Sequence, residues 1–328
     1  IDTLRLDHLH CYGYTRETSP NIDRFAKESV TFTHLTPQSS WTRPSVASLL
    51  TSTYPSVHGA QDRNDVMRPN LPDLAGHLKA HGYETHAFTA NANVLPEWGF
   101  GGGFFRYVDL SHAELGNDRD RLVVDAAIET IENAAGRPWF LYLHTVAPHD
   151  PYDPPEAFRK FDPESYTQCP GKAHLQRREA EALYDGEILY ADHEFGRLVD
   201  ALKSMGLYDN TIIILLSDHG EEFWEHGKTG HGHTLYEEQL RVPLLIKSPG
   251  SRHAGDVHDE LVEMIDLAPT LAEALGLPEE SRFQGASLNG IVDSAAVARE
   301  RPVYASLLLD RRSLSAAKTS RTKYLWNV

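Results

Sequence analysis

The chain has 328 residues, 41% of them hydrophobic, which is enough to bury one large core, and a formal net charge of −16 from 47 acidic against 31 basic side chains. So acidic a surface repels phosphate backbones and argues against nucleic acid as a partner, and no stretch is apolar for long enough to span a membrane. Two cysteines, Cys11 and Cys169, permit one disulfide without demanding it.

In chain order, the first informative segment is Ile1-Asp2-Thr3-Leu4-Arg5-Leu6-Asp7-His8, in which Asp2 falls where the tail of a strand is expected. We read the chain as incomplete or processed at its start, which leaves its compartment open. Thr42-Arg43-Pro44 opens a helix: Thr42 fits the N-cap, Pro44 the first turn, and Ala47, Leu49 and Leu50 continue it until Tyr54-Pro55. A hydroxyl at that position faces the positive end of the helix dipole, where an anion can land and an alkoxide can form. Arg43 adds a positive charge able to hold an oxyanion or compensate the alkoxide.

Thr85 to Thr89 reads as a strand, followed by Asn91 and Asn93, and Asp120 to Ala135 reads as a helix. Trp139 to His144 is a buried strand that runs into the Pro-rich loop Pro148 to Ala173, so His144 and His149 lie at or beyond a strand end. Loops that long are usually lids or binding loops. After a second long helix, Arg178 to Met205, the apolar run Thr211 to Ser217 ends in Asp218-His219-Gly220. A buried strand that ends by presenting a carboxylate and an imidazole, with a glycine to turn the backbone, is how α/β enzymes hold a divalent metal. Beyond it, His226, His231 and His233 are spaced by glycines in a polar loop that can close over a charged ligand. Val242 to Lys247 is a further strand and Glu260 to Leu275 a packing helix. Strands alternating with helices favour an α/β fold with a mainly parallel central sheet covered on both faces.

Together these segments resemble the sulfatase branch of the alkaline phosphatase superfamily. The resemblance is carried by Asp2-Thr3-Leu4-Arg5 with Asp7-His8, Cys11-Tyr12-Gly13-Tyr14, Ser19-Pro20-Asn21-Ile22-Asp23, Trp41 to Ser45 with His58-Gly59, His149-Asp150-Pro151-Tyr152, Ser217 to Glu221, and Leu235 to Glu238 leading to Val242-Pro243-Leu244. Arg321 to Tyr324 is similar to the family's late strand, and the usual acidic segment after it is absent, so both ends look cut. The resemblance implies a metal-binding catalytic α/β domain over 1–250 with a smaller C-terminal subdomain over 251–328 packed on it. It implies that Asp2, Asp218 and His219 are metal ligands and that Thr42 stands at the nucleophile position, itself bound to the metal. It implies that His149 contacts the ester oxygens or leaving group, that His231 or His233 is a basic residue touching substrate, and that Asn91 and Asn93 lie near another polar contact. Arg43 matches no fixed arginine of the family, whose arginine follows the Pro-Ser pair, where this chain has Val46.

The main departure is Thr42. Sulfatases of this family carry Cys or Ser there, which is oxidised to formylglycine; threonine has no route to that aldehyde, so no formylglycine is expected. A threonine alkoxide can still attack phosphorus, because water can resolve the adduct by a second in-line displacement. The expected activity is therefore hydrolysis of phosphodiesters or phosphonate monoesters, on a small-molecule or glycan- or lipid-linked anionic ester. The alternatives are a sulfuric ester hydrolase and a catalytically silent homologue that binds metal and ligand. Two carboxylates and an imidazole favour Mn²⁺ or Zn²⁺, with Mg²⁺ or Ca²⁺ possible. A second metal would need ligands from among Asp185, Asp192, His193, His231 and His233, which no motif places.

Overall fold

A computed structural model of the chain describes residues 1–134, 136–165, 174–293 and 301–327. Its core is two sheets. The first has Val30–Thr36 at its centre, paired in parallel with Val257–His258 and Val262–Glu263 and antiparallel with Val242–Lys247, which in turn pairs antiparallel with Ile213–Leu216. The second is wholly parallel, with Glu84–Thr89 between Arg106–Asp109 and Trp139–His144. Both faces of the first sheet are buried. Val242, Leu244 and Ile246 pack with Phe32 and Leu35 on one side, while Leu245 and Leu215 meet Leu4, Ile22, Tyr184 and Phe223 on the other, the alternation a pleated strand imposes.

The fold is thus α/β and covered by helices, but the parallel arrangement holds in one sheet and is mixed in the other. The cause is the connection from Leu216 to Val242. It stays at the carboxyl end of the sheet and re-enters through the short helix Glu237–Leu240, so Val242–Lys247 runs back beside the strand it follows. Only a crossover to the opposite end would have made the pair parallel. Two other expectations shift. Glu260 to Leu275 is a strand, Val262–Glu263, a tight turn at Met264–Asp266, and only then a helix, Leu267–Ala274. The helices expected at 120–135 and 178–205 are Arg119–Glu132 and His174–Ser204, with Ala135 outside the described residues. Cys169 and the end of the Pro148 to Ala173 loop also lie outside them. The chain closes with an antiparallel sheet, Val303–Leu309, Arg312–Lys318 and Lys323–Asn327, whose Ala305, Leu307 and Leu309 pack on Trp41, Leu235 and Leu240. No helix among the described residues is long and apolar enough to cross a membrane.

What positions the site is the chain start. The Ile1 amino group donates to Leu216 O at 3.0 Å and Asp2 N donates to Thr145 O at 2.9 Å, so these residues bridge the carboxyl ends of the two sheets. Thr3, a β-branched residue held at φ 54°, turns the chain sharply away from there. The loop after Trp139–His144 is pinned by two buried carboxylates: Asp120 accepts Val146 N (2.8 Å) and Ala147 N (3.0 Å), and Glu187 accepts Asp153 N (2.8 Å).

Gly186 forms the seat for that loop on helix His174–Ser204, because a Cβ there would sit 2.8 Å from Pro154 Cγ and 2.9 Å from Phe158 O. Alanine would gain about 1 kcal/mol of helix propensity, yet overpacking against a backbone oxygen costs roughly 1–3 kcal/mol. Gly186→Ala is expected to lower the melting temperature and speed proteolytic cleavage between residues 150 and 165; a higher melting temperature with unchanged cleavage would contradict the seat.

Candidate active site

Four elements deliver side chains to one point where the sheets meet: the chain start (Asp2), the end of strand Trp139–His144 (His144), the segment after Ile213–Leu216 (Asp218, His219), and helix Thr42–Thr51. All ten residues of that helix are buried. Thr42 is its first residue, not its cap; Trp41 holds the cap position without a side-chain hydrogen bond. The Thr42 hydroxyl instead lies 3.3 Å from His219 Nε2 and 3.5 Å from Asn91 Nδ2.

The two carboxylates divide their oxygens in the same way. Asp218 Oδ1 accepts His219 N (3.0 Å) and Thr3 N (3.4 Å), while Oδ2 is buried with no hydrogen-bond partner among the described residues. Asp2 Oδ2 accepts from Asn91 Nδ2 and lies 3.2 Å from His144 Nε2, while Oδ1 is likewise buried and bare. Each bare oxygen is 3.4 Å from His219 Nε2. His219 Nδ1 is 2.9 Å from Gly220 O, a pure acceptor, so Nδ1 carries the proton and Nε2 offers a lone pair. Asp2 Oδ1, Asp218 Oδ2, His219 Nε2 and Thr42 Oγ1 therefore converge as lone-pair donors, with the Thr42 hydroxyl, 3.3 Å from His219 Nε2, carrying a proton it can share. Leaving buried carboxylate oxygens bare costs on the order of several kcal/mol, and a divalent cation is the partner this donor set fits.

The electrostatics show the same strain. Burial and the Asp2 charge push the Asp218 carboxyl up to about 7. Burial also works to raise Asp2, but the His144 hydrogen bond and the charges of His149, His144 and His219 outweigh it and hold it well below the usual range. Burial, then the neighbouring His231, pushes His219 down to about 3, leaving it neutral.

His231 stacks beside the cluster, 4.4 Å from the His219 ring and 4.9 Å from that of His149. Its Nδ1 is 3.0 Å from Glu221 Oε1, and Tyr152 holds the other Glu221 oxygen at 3.0 Å. Burial opposes the charged form of His231, yet Glu221 raises it to about 9, so it is a cation at neutral pH. His149 Nδ1 is 2.6 Å from Asp150 O. His233 departs from the expectation of substrate contact: it is tied to Glu222 Oε2 (3.1 Å) and His231 O (3.1 Å), which makes it a strap of its own loop. Arg43 departs too. Its guanidinium donates to the carbonyls of Asn93, Asp62, Arg63 and Asp65 and lies 3.8 Å from the centre of the Trp98 ring. Asn93 belongs to that structure, and Asn91 to the cluster. Asp185 bonds His8 and Tyr14, Asp192 accepts the N–H groups of Asn21 and Ile22, and His193 stands at the surface, so these three do not converge on a second site.

Sequence reasoning placed His144 only at a strand end and passed over Glu221, which directly follows the Asp218-His219-Gly220 triplet.

The raised Asp218 carboxyl sets a stability prediction for metal-free protein. Its folded pKa lies above the unfolded value near 4, so the folded state holds the proton more tightly and stability falls as pH rises from about 4 through about 7. In EDTA, Asp218→Asn should melt above wild type at pH 8 and level with it at pH 4, and Mn²⁺ should stabilise wild type far more than the variant. Equal melting at pH 8 in EDTA would show that the two carboxylates do not repel.

Comparison with known proteins agrees with this geometry. A family profile described as Sulfatase matches residues 1–277. The arylsulfatase of Clostridium perfringens is 28% identical over 233 residues, covering 62% of this chain and 48% of that protein, so the chain spans about half the length of that relative. The multifunctional alkaline phosphatase superfamily protein PehA of Trinickia caryophylli is 26% identical, over 82% of this chain and 70% of that protein. The crystal structure of the phosphonate monoester hydrolase of Agrobacterium radiobacter superposes with a TM-score of 0.87 at 20% identity, over 99% of this chain and 86% of that one, and so shares its fold. With the profile covering 277 of its 328 residues, the chain belongs to the sulfatase family.

Proposed function

We propose that this protein is a metal-dependent hydrolase of anionic esters, acting on phosphodiesters or phosphonate monoesters with Thr42 as covalent nucleophile. The observation that carries the reading is the Thr42 hydroxyl, turned away from capping its own helix and set 3.3 Å from His219 Nε2 beside two bare carboxylate oxygens. Asp2, Asp218, His219 and Thr42 would hold the ion, and an imidazole among the donors favours Mn²⁺ or Zn²⁺ over Ca²⁺. When bound, the ion supplies the positive charge that brings a threonine hydroxyl within reach of ionisation near neutral pH.

The residues of the chain do the rest. Thr42 Oγ1, having released its proton to solvent, forms a bond to phosphorus as the bond to the leaving oxygen breaks, and His231, protonated and oriented by Glu221, gives that oxygen its proton. His149 stands across from His231 to contact the ester oxygens. The neutral His231 then takes a proton from the water that displaces Thr42 from phosphorus, which restores both groups. The names of PehA and of the phosphonate monoester hydrolase support phosphorus chemistry. That of the arylsulfatase keeps sulfate esters as the second reading.

Turnover of an aryl phosphodiester, phosphonate monoester and sulfate ester should be compared in the Mn²⁺-loaded enzyme. Thr42→Ala is expected to lower kcat on phosphoesters by on the order of 10³-fold or more; preference for the sulfate ester, or full activity in Thr42→Ala, would overturn the reading. His231 works as an acid only below its folded pKa, so activity should fall as pH rises through that value. Glu221→Gln removes the charge that raises it, and the alkaline limb of kcat/KM should move to lower pH. A limb that stays in place would exclude His231 as the acid.

A further inference from the structure

His144 lies close enough to Asp2 and Asp218 to be counted as a ligand beside them. The hydrogen-bond pattern argues for a different role. Its Nε2 is 3.2 Å from Asp2 Oδ2, the oxygen that already accepts from Asn91 Nδ2, and not from the bare Oδ1. A carboxylate oxygen can only accept, so at that distance Nε2 carries the hydrogen, and a nitrogen that carries a hydrogen has no lone pair for a cation. The other ring nitrogen, Nδ1, lies 2.8 Å from the Tyr142 hydroxyl, which can donate to it. Tyr142 and His144 are two apart on strand Trp139–His144, so the pleat puts both on one face.

We infer that His144 is a positioning residue for Asp2: Tyr142 sets its proton on Nε2, and His144 together with Asn91 ties Oδ2 so that Oδ1 alone faces the cation. This rests on the reading of the cluster as a cation site. Asp218 obtains the same division from backbone, through the N–H groups of Thr3 and His219. Asp2 obtains it from side chains, Asn91 Nδ2 and His144 Nε2, both at Oδ2. Outer-shell partners of this kind orient the ligands they touch, and removing one typically weakens metal binding about 10–100-fold.

The test is Mn²⁺ affinity by calorimetry together with pulsed electron paramagnetic resonance, which counts imidazole nitrogens bound to Mn²⁺. Wild type should show one coordinated imidazole, lost in His219→Ala and kept in His144→Leu. Affinity should fall about 10–100-fold in His144→Leu, fall less in Tyr142→Phe, and recover in part in His144→Gln, whose amide can still donate to Asp2. Two coordinated imidazoles in wild type, dropping to one in His144→Leu, would make His144 a ligand and overturn the inference. So would unchanged affinity in both His144→Leu and Tyr142→Phe. Failure of wild type to bind Mn²⁺ would remove the cation reading itself, a result distinct from either of these.

Discussion

Two carboxylates, Asp2 and Asp218, are buried at one point with a bare oxygen apiece and a neutral imidazole 3.4 Å from both. Among the described residues neither bare oxygen has a hydrogen-bond partner, and burying the pair in that state costs on the order of several kcal/mol. Much of the surrounding structure serves to enforce it. Ile1 N donates to Leu216 O at 3.0 Å and Asp2 N to Thr145 O at 2.9 Å, Ser217 Oγ accepts Leu4 N at 2.8 Å, and Tyr184 donates to Thr3 O at 2.7 Å while accepting Arg5 N at 2.8 Å. These bonds hold the two acids together when they would separate in water. A fold that spends stability to keep like charges adjacent supports the proposed cation site, and the Thr42 hydroxyl lies beside the imidazole that both bare oxygens share.

A second constraint acts on the groups above the cluster. His231 owes its orientation and charge to Glu221, which is fixed from behind by Tyr152. His149 sits on a loop held on both sides, at 146–147 by Asp120 and at 153 by Glu187, with Pro154 seated against Gly186. The imidazoles that would handle substrate thus come from loops, but each loop is tied to a long helix or a buried acid. That arrangement leaves little entropy to lose on binding and leaves the loop tips to read the alcohol half of the ester.

The strands Trp139–His144, Ile213–Leu216 and Val242–Lys247 were legible because each is a short, largely apolar run bounded by turn or loop residues, and the Asp218-His219-Gly220 triplet stood out because it follows one of them. Val30–Thr36, the centre of its sheet, was not, since Val-Thr-Phe-Thr-His-Leu-Thr alternates polar and apolar residues as an edge strand would. The antiparallel course of Val242–Lys247 depends on where the 217–241 excursion goes, which no local pattern encodes. Arg43 and His233 were candidates by residue type and by proximity in sequence to Thr42 and His231, and the hydrogen bonds they make, to loop carbonyls and to Glu222, are set by the fold around them and not by any local pattern. Glu221 acts through His231, ten residues on, and leaves no spacing signature because the pair meets only through the folding of its loop; Tyr142, two residues before His144 on one strand, had the i, i+2 spacing of a shared face but no feature to mark the pair as functional.

The central claim is that the cluster exists to make Thr42 a nucleophile. The direct measurement is peptide mass spectrometry of the Mn²⁺-loaded enzyme, acid-quenched during turnover of a phosphonate monoester, with His231→Ala used to slow resolution of the adduct. The account predicts a phosphonyl group on the peptide carrying Thr42, absent in Thr42→Ala. Steady turnover with no adduct at any time point, or an adduct on another residue, would contradict it.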